Sequence, residues 1–267
     1  MKPGPKSSPK PPPHPAAGDH PRKSAETGQP VGVNALHLLV FGAHPDDIEF
    51  ACGGIVARET RAGRSVHFVV CSRGEAGTHG TPTQRTAEAR QAAKLLGASL
   101  EFADLGGDAH FEERAVHVVA LARIIRRVRP GFVLAPTTVE NQHPDHYKLG
   151  RMVRDAARLA RYGGVRELRR DPPHAIGQLF FYAVTPEAEP REVTPVFIDV
   201  CDVMEPWYNA MIAHRSQLKS RPYHLLQMAR ASVLGQRLGV HGAMALYPND
   251  PLVFDSLASL GRSGRRY

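Results

Sequence analysis

Leu36-His37-Leu38-Leu39-Val40-Phe41-Gly42-Ala43-His44-Pro45-Asp46-Asp47-Ile48-Glu49 is the stretch that decides the fold. A short apolar run ends at a glycine, a His-Pro-Asp-Asp turn follows, and from about Ile48 to Arg61 the apolar residues recur at helical spacing. The same strand, loop and helix unit returns along the chain. Runs at Leu36–Phe41, Val66–Cys71, Leu100–Ala103 and Phe132–Ala135 are short, apolar and punctuated by Gly, Pro or Asp, which predicts strands. Between and after them, Ile48–Arg61, Gln84–Leu96, Phe111–Arg127 and Tyr147–Arg161 carry helical periodicity. This alternation predicts parallel β-α-β units and an α/β fold, a doubly wound, mostly parallel sheet with helices on both faces. Further strands are expected at Leu179–Ala183 and Val196–Val200, and the C-terminal third reads as helices from Met204 and from Tyr223.

Outward from this core, 267 residues at 42% hydrophobic content suffice for one large domain, expected over 34–258. Residues 1–33 read as a disordered Pro-rich tail. The first thirty hold nine prolines, five Lys/Arg and two acids, too little apolar surface to offset ordering entropy. Residues 259–267 form a short basic tail. The tail start lacks the apolar segment of a secretory signal, and no run reaches the roughly 18 apolar residues of a membrane span. Cys52, Cys71 and Cys201 are odd in number and lack a CxxC spacing, so they read as buried small side chains in a reducing, cytoplasmic compartment. The formal charge of +8 is concentrated at the ends: the first thirty residues contribute +3 and the last seven another +3. The globular part is close to balanced, which argues against nucleic acid as a specific partner.

A doubly wound sheet binds ligands beyond the carboxyl ends of its strands. Each of the first four expected strands runs out into polar sequence there: Gly42–Asp47, Ser72–Glu75, Asp104–Asp108 and Pro136–His146. The first of these loops offers His44 and Asp47 three residues apart, and the last offers His143 and His146 at the same spacing, each motif holding a proline, Pro45 or Pro144, that restricts its backbone. Two imidazoles and a carboxylate can hold a divalent cation and leave positions for water and substrate. Either motif alone is also an ordinary turn or helix cap. It is their joint occurrence on one predicted sheet edge that points to a metal site.

Ala43-His44-Pro45-Asp46-Asp47-Ile48-Glu49 together with His143-Pro144-Asp145-His146 resembles the paired signature of the PIG-L/LmbE-type N-acetylglucosaminyl deacetylases, over about Leu36–Pro251. The resemblance implies a Rossmann-like fold and one Zn2+ per chain, with His44, Asp47 and His146 as ligands, Asp46 as general base and His143 facing the developing oxyanion. Asp145 would orient His143 or His146, or cap the helix. Cys71–Thr78, Arg85 with Glu88, and Ala231–Pro251 resemble the bacillithiol-biosynthesis branch, whose substrate is N-acetylglucosaminyl malate. By that likeness Arg85 and Asp108 would hold sugar hydroxyls, and Arg73 would hold an anion or order a loop. Similar deacetylases place a tyrosine over the metal, with Tyr223 and Tyr247 the candidates, and some are hexamers, so a homo-oligomer is expected. Glu49 and Glu75 read as loop-ordering or capping residues.

Three rival readings stand beside this one. A two-His, one-carboxylate set can also bind Fe2+ for oxygen chemistry. A dinucleotide-binding oxidoreductase would need G-x-G-x-x-G after the first strand, where His-Pro-Asp-Asp stands instead. A non-catalytic binding protein would act through the Pro-rich tail.

Overall fold

A computed structural model describes Met1 and residues 37–140, 143–219 and 221–264. The expected Pro-rich tail, apart from Met1, and the last three residues of the basic tail lie outside the described residues. Within the compact unit Asn34–Tyr267, strands and helices alternate as the periodicity predicts. They run β1 (Leu38–Gly42), α1 (Asp47–Arg61), β2 (Val66–Val70), α2 (Pro82–Leu95), β3 (Ser99–Phe102), α3 (Ala115–Val128), β4 (Phe132–Pro136) and α4 (Pro144–Ala160). Then come β5 (Gln178–Tyr182), β6 (Val196–Asp199), α5 (Met204–Ile212), α6 (Tyr223–Arg237) and β7 (Ala243–Pro248).

The seven strands form one sheet in the order β3-β2-β1-β4-β5-β7-β6. β1 to β5 are paired in parallel with one another, and β7 is antiparallel to both β5 and β6. Every residue of β1 is buried because both faces of the sheet are covered, so the strand is a continuous apolar run. Leu38 and Val40 belong to a core with residues of α1, α2, α5 and α6, whereas Leu39 and Phe41 face one built with α3 and α4. This period-two division of one strand between two cores is what doubly wound architecture requires.

β7 departs from the expected helical C-terminal third. Its sequence, Ala-Met-Ala-Leu-Tyr-Pro, carries little β propensity, and its strand conformation is set by insertion between β5 and β6. The third helix also begins at Ala115 rather than near Phe111. The segment before it is held extended against α4: the Phe111 N–H donates to Asp145 Oδ1 (3.3 Å) and Lys148 Nζ donates to the Phe111 carbonyl (2.8 Å). α1 packs closely on α5 and β7 because Gly53 and Gly54 lack side chains; a Cβ would lie 2.7 Å from Trp207 of α5 at the first and 2.8 Å from Met244 of β7 at the second. Trp207 Nε1 donates to the Glu49 carbonyl (2.7 Å), which fixes the start of α1 to that core.

Candidate functional site

β1 and β4 are neighbours in the sheet, yet the helices that follow them cover opposite faces. The crevice at this switch point receives both histidine motifs, as the topology demands.

Asp46 precedes α1 with φ 116°, a left-handed backbone that non-glycine residues rarely adopt. The twist sends adjacent carboxylates different ways, as the sequence requires of them. Asp47 turns inward: its Oδ2 accepts from the backbone N–H groups of Ala43 and His44 (both 2.9 Å) and its Oδ1 lies 3.1 Å from His146 Nε2. Asp46 Oδ2 lies 3.6 Å from Arg85 Nη2. One ligand-type atom from each of His44, Asp47 and His146 falls within 4.8 Å of the others, so residues about a hundred positions apart converge. A second group, His44 with Asp108, His143 and Asp145, meets the same measure. His44 joins the two: Nδ1 is 3.5 Å from Asp47, and Nε2 is 3.1 Å from Asp108 Oδ1 and 3.2 Å from Asp145 Oδ2.

The electrostatics follow from this crowding. Burial disfavours charge on His44, but Asp47, Asp108 and Asp145 outweigh it and hold its pKa well above the ordinary value. Burial likewise opposes the charge on Asp47, and His146 and His44 overcome it, keeping the carboxyl well below its usual range. Three carboxylates therefore favour positive charge at this point, and two imidazoles with a carboxylate form a borderline-soft donor set suited to a divalent ion. For Asp46 burial prevails over the attraction of Arg85, and its pKa is raised to about 6. Burial and the neighbouring His44 and His146 lower the pKa of His143.

Asp145 is fully buried and bonds differently from expectation. Besides His44, its Oδ2 accepts from the Ala109 N–H (2.7 Å), while His143 Nδ1 is 3.9 Å away. His143 Nδ1 itself accepts from the Asp145 backbone N–H (3.4 Å), the capping arrangement at the start of α4. Arg85 is buried, donating to the carbonyls of Gly74 (3.2 Å) and Pro45 (3.0 Å), with Asp108 at 3.8 Å. Gly74 makes room for it: its φ is +71°, and a Cβ would stand 2.1 Å from the guanidinium.

These groups open into a cleft of about 550 Å³ lined by His44, Asp46, Asp47, Arg85, Asp108, His143 and His146, with Phe50, Ala76–His79, Val184, Thr185, Gln217, Tyr223, Leu226 and Gln227. Arg73 is not brought there; it is exposed, its guanidinium 5.0 Å from the Phe102 ring. Glu75 orders loops, accepting from the Arg73 and Asp108 N–H groups (3.0 and 3.1 Å). Glu49 is buried 3.4 Å from His214. Of the two candidate tyrosines, Tyr223 lines the cleft and Tyr247 does not. Sequence reasoning missed Phe50, His79, Val184 and Gln227. Phe50 lies one helical turn beyond Asp46, a spacing that could have flagged it; the others carry no motif.

The chain matches the family model described as PIG-L, GlcNAc-PI de-N-acetylase, over residues 39–157, a span containing both histidine motifs. It is similar to the diacetylchitobiose deacetylase of Thermococcus kodakarensis, at 28% identity over 70% of this chain and 72% of that protein. It is also similar to the 4-oxalmesaconate hydratase of Pseudomonas putida, at 30% identity over 65% of this chain and 70% of that one. Among solved structures, a conserved protein from Thermus thermophilus superposes with a TM-score of 0.71 at 30% identity, covering 82% of this chain and 97% of the other.

Proposed function

The chain belongs to the PIG-L family, and from that premise we propose that it is a metal-dependent amide hydrolase that removes the acetyl group from the nitrogen of a glucosamine-containing small molecule. The observation that carries the reading is the division of labour between Asp46 and Asp47. Asp47 is committed to His146 and to two backbone N–H groups, while its neighbour Asp46 faces the cleft with its pKa raised to about 6.

In this reading His44, Asp47 and His146 hold one divalent cation, zinc in preference to Fe2+, which when bound supplies Lewis acidity to the acetamide carbonyl and to the attacking water. Asp46 takes a proton from that water as the oxygen bonds to the carbonyl carbon. Burial makes this carboxylate a stronger base than a solvated one. His143 stabilises the oxyanion. Because its Nδ1 accepts from the Asp145 N–H, the neutral ring carries its proton on Nε2 and can donate from there. Asp145 acts through His44, whose Nε2 it accepts from, so it is a positioning residue. When the C–N bond breaks, the electron pair stays on nitrogen, which receives the proton held by Asp46, giving a free amine and acetate. Arg85 braces Asp46 and Asp108 at the cleft wall and Asp108 holds sugar hydroxyls, whereas the position of Arg73 supports loop ordering instead of substrate contact.

The likeness of Cys71–Thr78 to the bacillithiol branch nominates N-acetylglucosaminyl malate as substrate; the chemistry of the cleft wall nominates a different group on the sugar. The test is acetate release by the zinc-loaded protein over a panel of N-acetylglucosamine conjugates, with chelator-treated protein as control. Release that needs the ion supports the reading. Hydration of an unsaturated carboxylic acid with no acetate release from any conjugate would refute it and align the chain with its hydratase relative.

A further inference from the structure

Beyond the acid and histidine cluster, the cleft wall changes character. Phe50, Val184, Tyr223 and Leu226 line it there. The Phe50 and Tyr223 rings are 5.9 Å apart at an interplanar angle of 46°; Phe50 is buried in the core and backs the half-buried Tyr223, whose ring offers the apolar face of this corner. This corner is braced. Gln227, one turn after Tyr223 on α6, donates from Nε2 to the Val184 carbonyl (3.0 Å). Arg230 Nη1 donates to the same carbonyl (3.1 Å) and to Gln227 Oε1 (2.9 Å), and its Nη2 to Glu189 (2.8 Å). α6 and the segment after β5 are thereby locked together, presenting the Tyr223 ring preorganised.

Charge on the wall points the same way. Among the described residues, the one Lys or Arg lining the cleft is Arg85, and it is already spent on the Gly74 and Pro45 carbonyls, while Asp46, Asp47 and Asp108 contribute three carboxylates. Arg221 lies 5.9 Å from the Tyr223 ring centroid but is exposed and outside the lining. A dicarboxylate on the sugar would find Arg85 as its one Lys or Arg in the lining, already held by two carbonyls and beside Asp46 and Asp108, whereas an uncharged ring would lay an apolar face on Tyr223.

We infer that Phe50, Tyr223 and Leu226 form a subsite for an uncharged ring joined to the acetamido sugar, so that the substrate class is a neutral, ring-bearing N-acetylglucosaminide rather than an anionic conjugate. The inference rests on the de-N-acetylase reading. The cleft of about 550 Å³ exceeds what one acetylated pyranose fills and lies within the roughly 300–1,000 Å³ of pockets that bury larger ligands.

The zinc-loaded protein is assayed for acetate release from methyl N-acetylglucosaminide, phenyl N-acetylglucosaminide, N,N'-diacetylchitobiose and N-acetylglucosaminyl malate. The ring-bearing neutral substrates should exceed the methyl glycoside by roughly three- to tenfold in kcat/KM, mainly through KM, as a stacked ring pair provides. Whether phenyl or pyranose leads tells an aryl from a sugar ring. Tyr223→Leu should erase that advantage, and Tyr223→Phe, which keeps the ring, should retain it. A malate conjugate turned over faster than both ring-bearing substrates would overturn the inference. So would a Tyr223→Leu variant affecting methyl and phenyl glycosides equally. If no conjugate releases acetate, the de-N-acetylase reading fails separately. The subsite then stands or falls on calorimetry with chelator-treated protein: phenyl N-acetylglucosaminide should bind wild type and bind Tyr223→Leu roughly three- to tenfold more weakly, and no binding by wild type would overturn it.

Discussion

Replacing Asp46 by Asn should make the protein more stable and nearly inactive. Burial raises this carboxyl from 3.8 to about 6, so ionising it costs more in the fold than in the unfolded chain. A displacement of roughly two pKa units corresponds to ~3 kcal/mol. The Asn amide also loses water on burial, which leaves a net gain of about 1–2 kcal/mol. The backbone reinforces the direction, since Asn tolerates a φ of 116° better than most residues do. The sign with pH is fixed: the folded pKa lies above the unfolded one, so the wild type loses stability as pH rises from about 4 to about 6, a loss that persists above that window. Urea denaturation of chelator-treated wild type and variant across that range should therefore show curves that nearly coincide at the acid end and separate towards neutrality. A variant less stable than wild type near neutral pH, or a gap that does not widen with pH, would refute the reasoning. In zinc-loaded protein, the same substitution should lower turnover by about 100- to 10,000-fold while metal content, read by atomic absorption, stays stoichiometric. Loss of the ion instead would make Asp46 a ligand.

His146→Ala should lose metal and turnover together, because it removes one of three converging donors; retention of one zinc per chain by mass spectrometry would contradict its assignment. Arg126, buried between α3 and the end of α4, donates to the carbonyls of Ala160 (2.9 Å), Leu168 (2.6 Å), Asp171 (2.7 Å) and Tyr162 (2.6 Å), so Arg126→Met should cost about 3–5 kcal/mol in urea denaturation. A cost below about 1 kcal/mol would show those carbonyls readily finding other donors. Gly74→Ala should displace Arg85, because φ is +71° and the new methyl would overlap the guanidinium; a kcat/KM reduced by about tenfold or more is expected, and an unchanged value would mean that Arg85 does not brace the site.

Much of this architecture is legible in the sequence because parallel strands covered on both faces are written as short apolar runs. Leu38–Gly42 needs no partner to be recognised, and the four polar loops follow from where such strands end. β7 is invisible by the same logic: Ala243–Pro248 becomes a strand only through the edges offered by β5 and β6. Within the site, His44, Asp47 and His146 were readable as paired motifs, and their convergence adds the partners that spacing cannot give. Asp145 meets His44 from a hundred residues away, and Glu75 reaches the Asp108 backbone from a loop it does not share. Arg73 shows the opposite limit. It lies beside the motif in sequence, yet its side chain rests on Phe102, because neighbours along an extended segment point to opposite sides. The aromatic corner of Phe50 and Tyr223 joins two helices distant in the chain, so neither periodicity announces it.

The adjacency of β1 and β4 bears on how the enzyme is born. During synthesis β1 emerges first and gains β2 and then β3 on one side, while its other edge waits for β4. A nascent chain halted before that strand displays His44 and Asp47 but no His146, and closing the intervening loop against its entropy must precede any three-point grip. In the proposed reading the third donor becomes available once β4 has joined β1 and the start of α4 has been made, with β5, β6 and β7 still to come, so any shorter fragment of the chain lacks the complete grip.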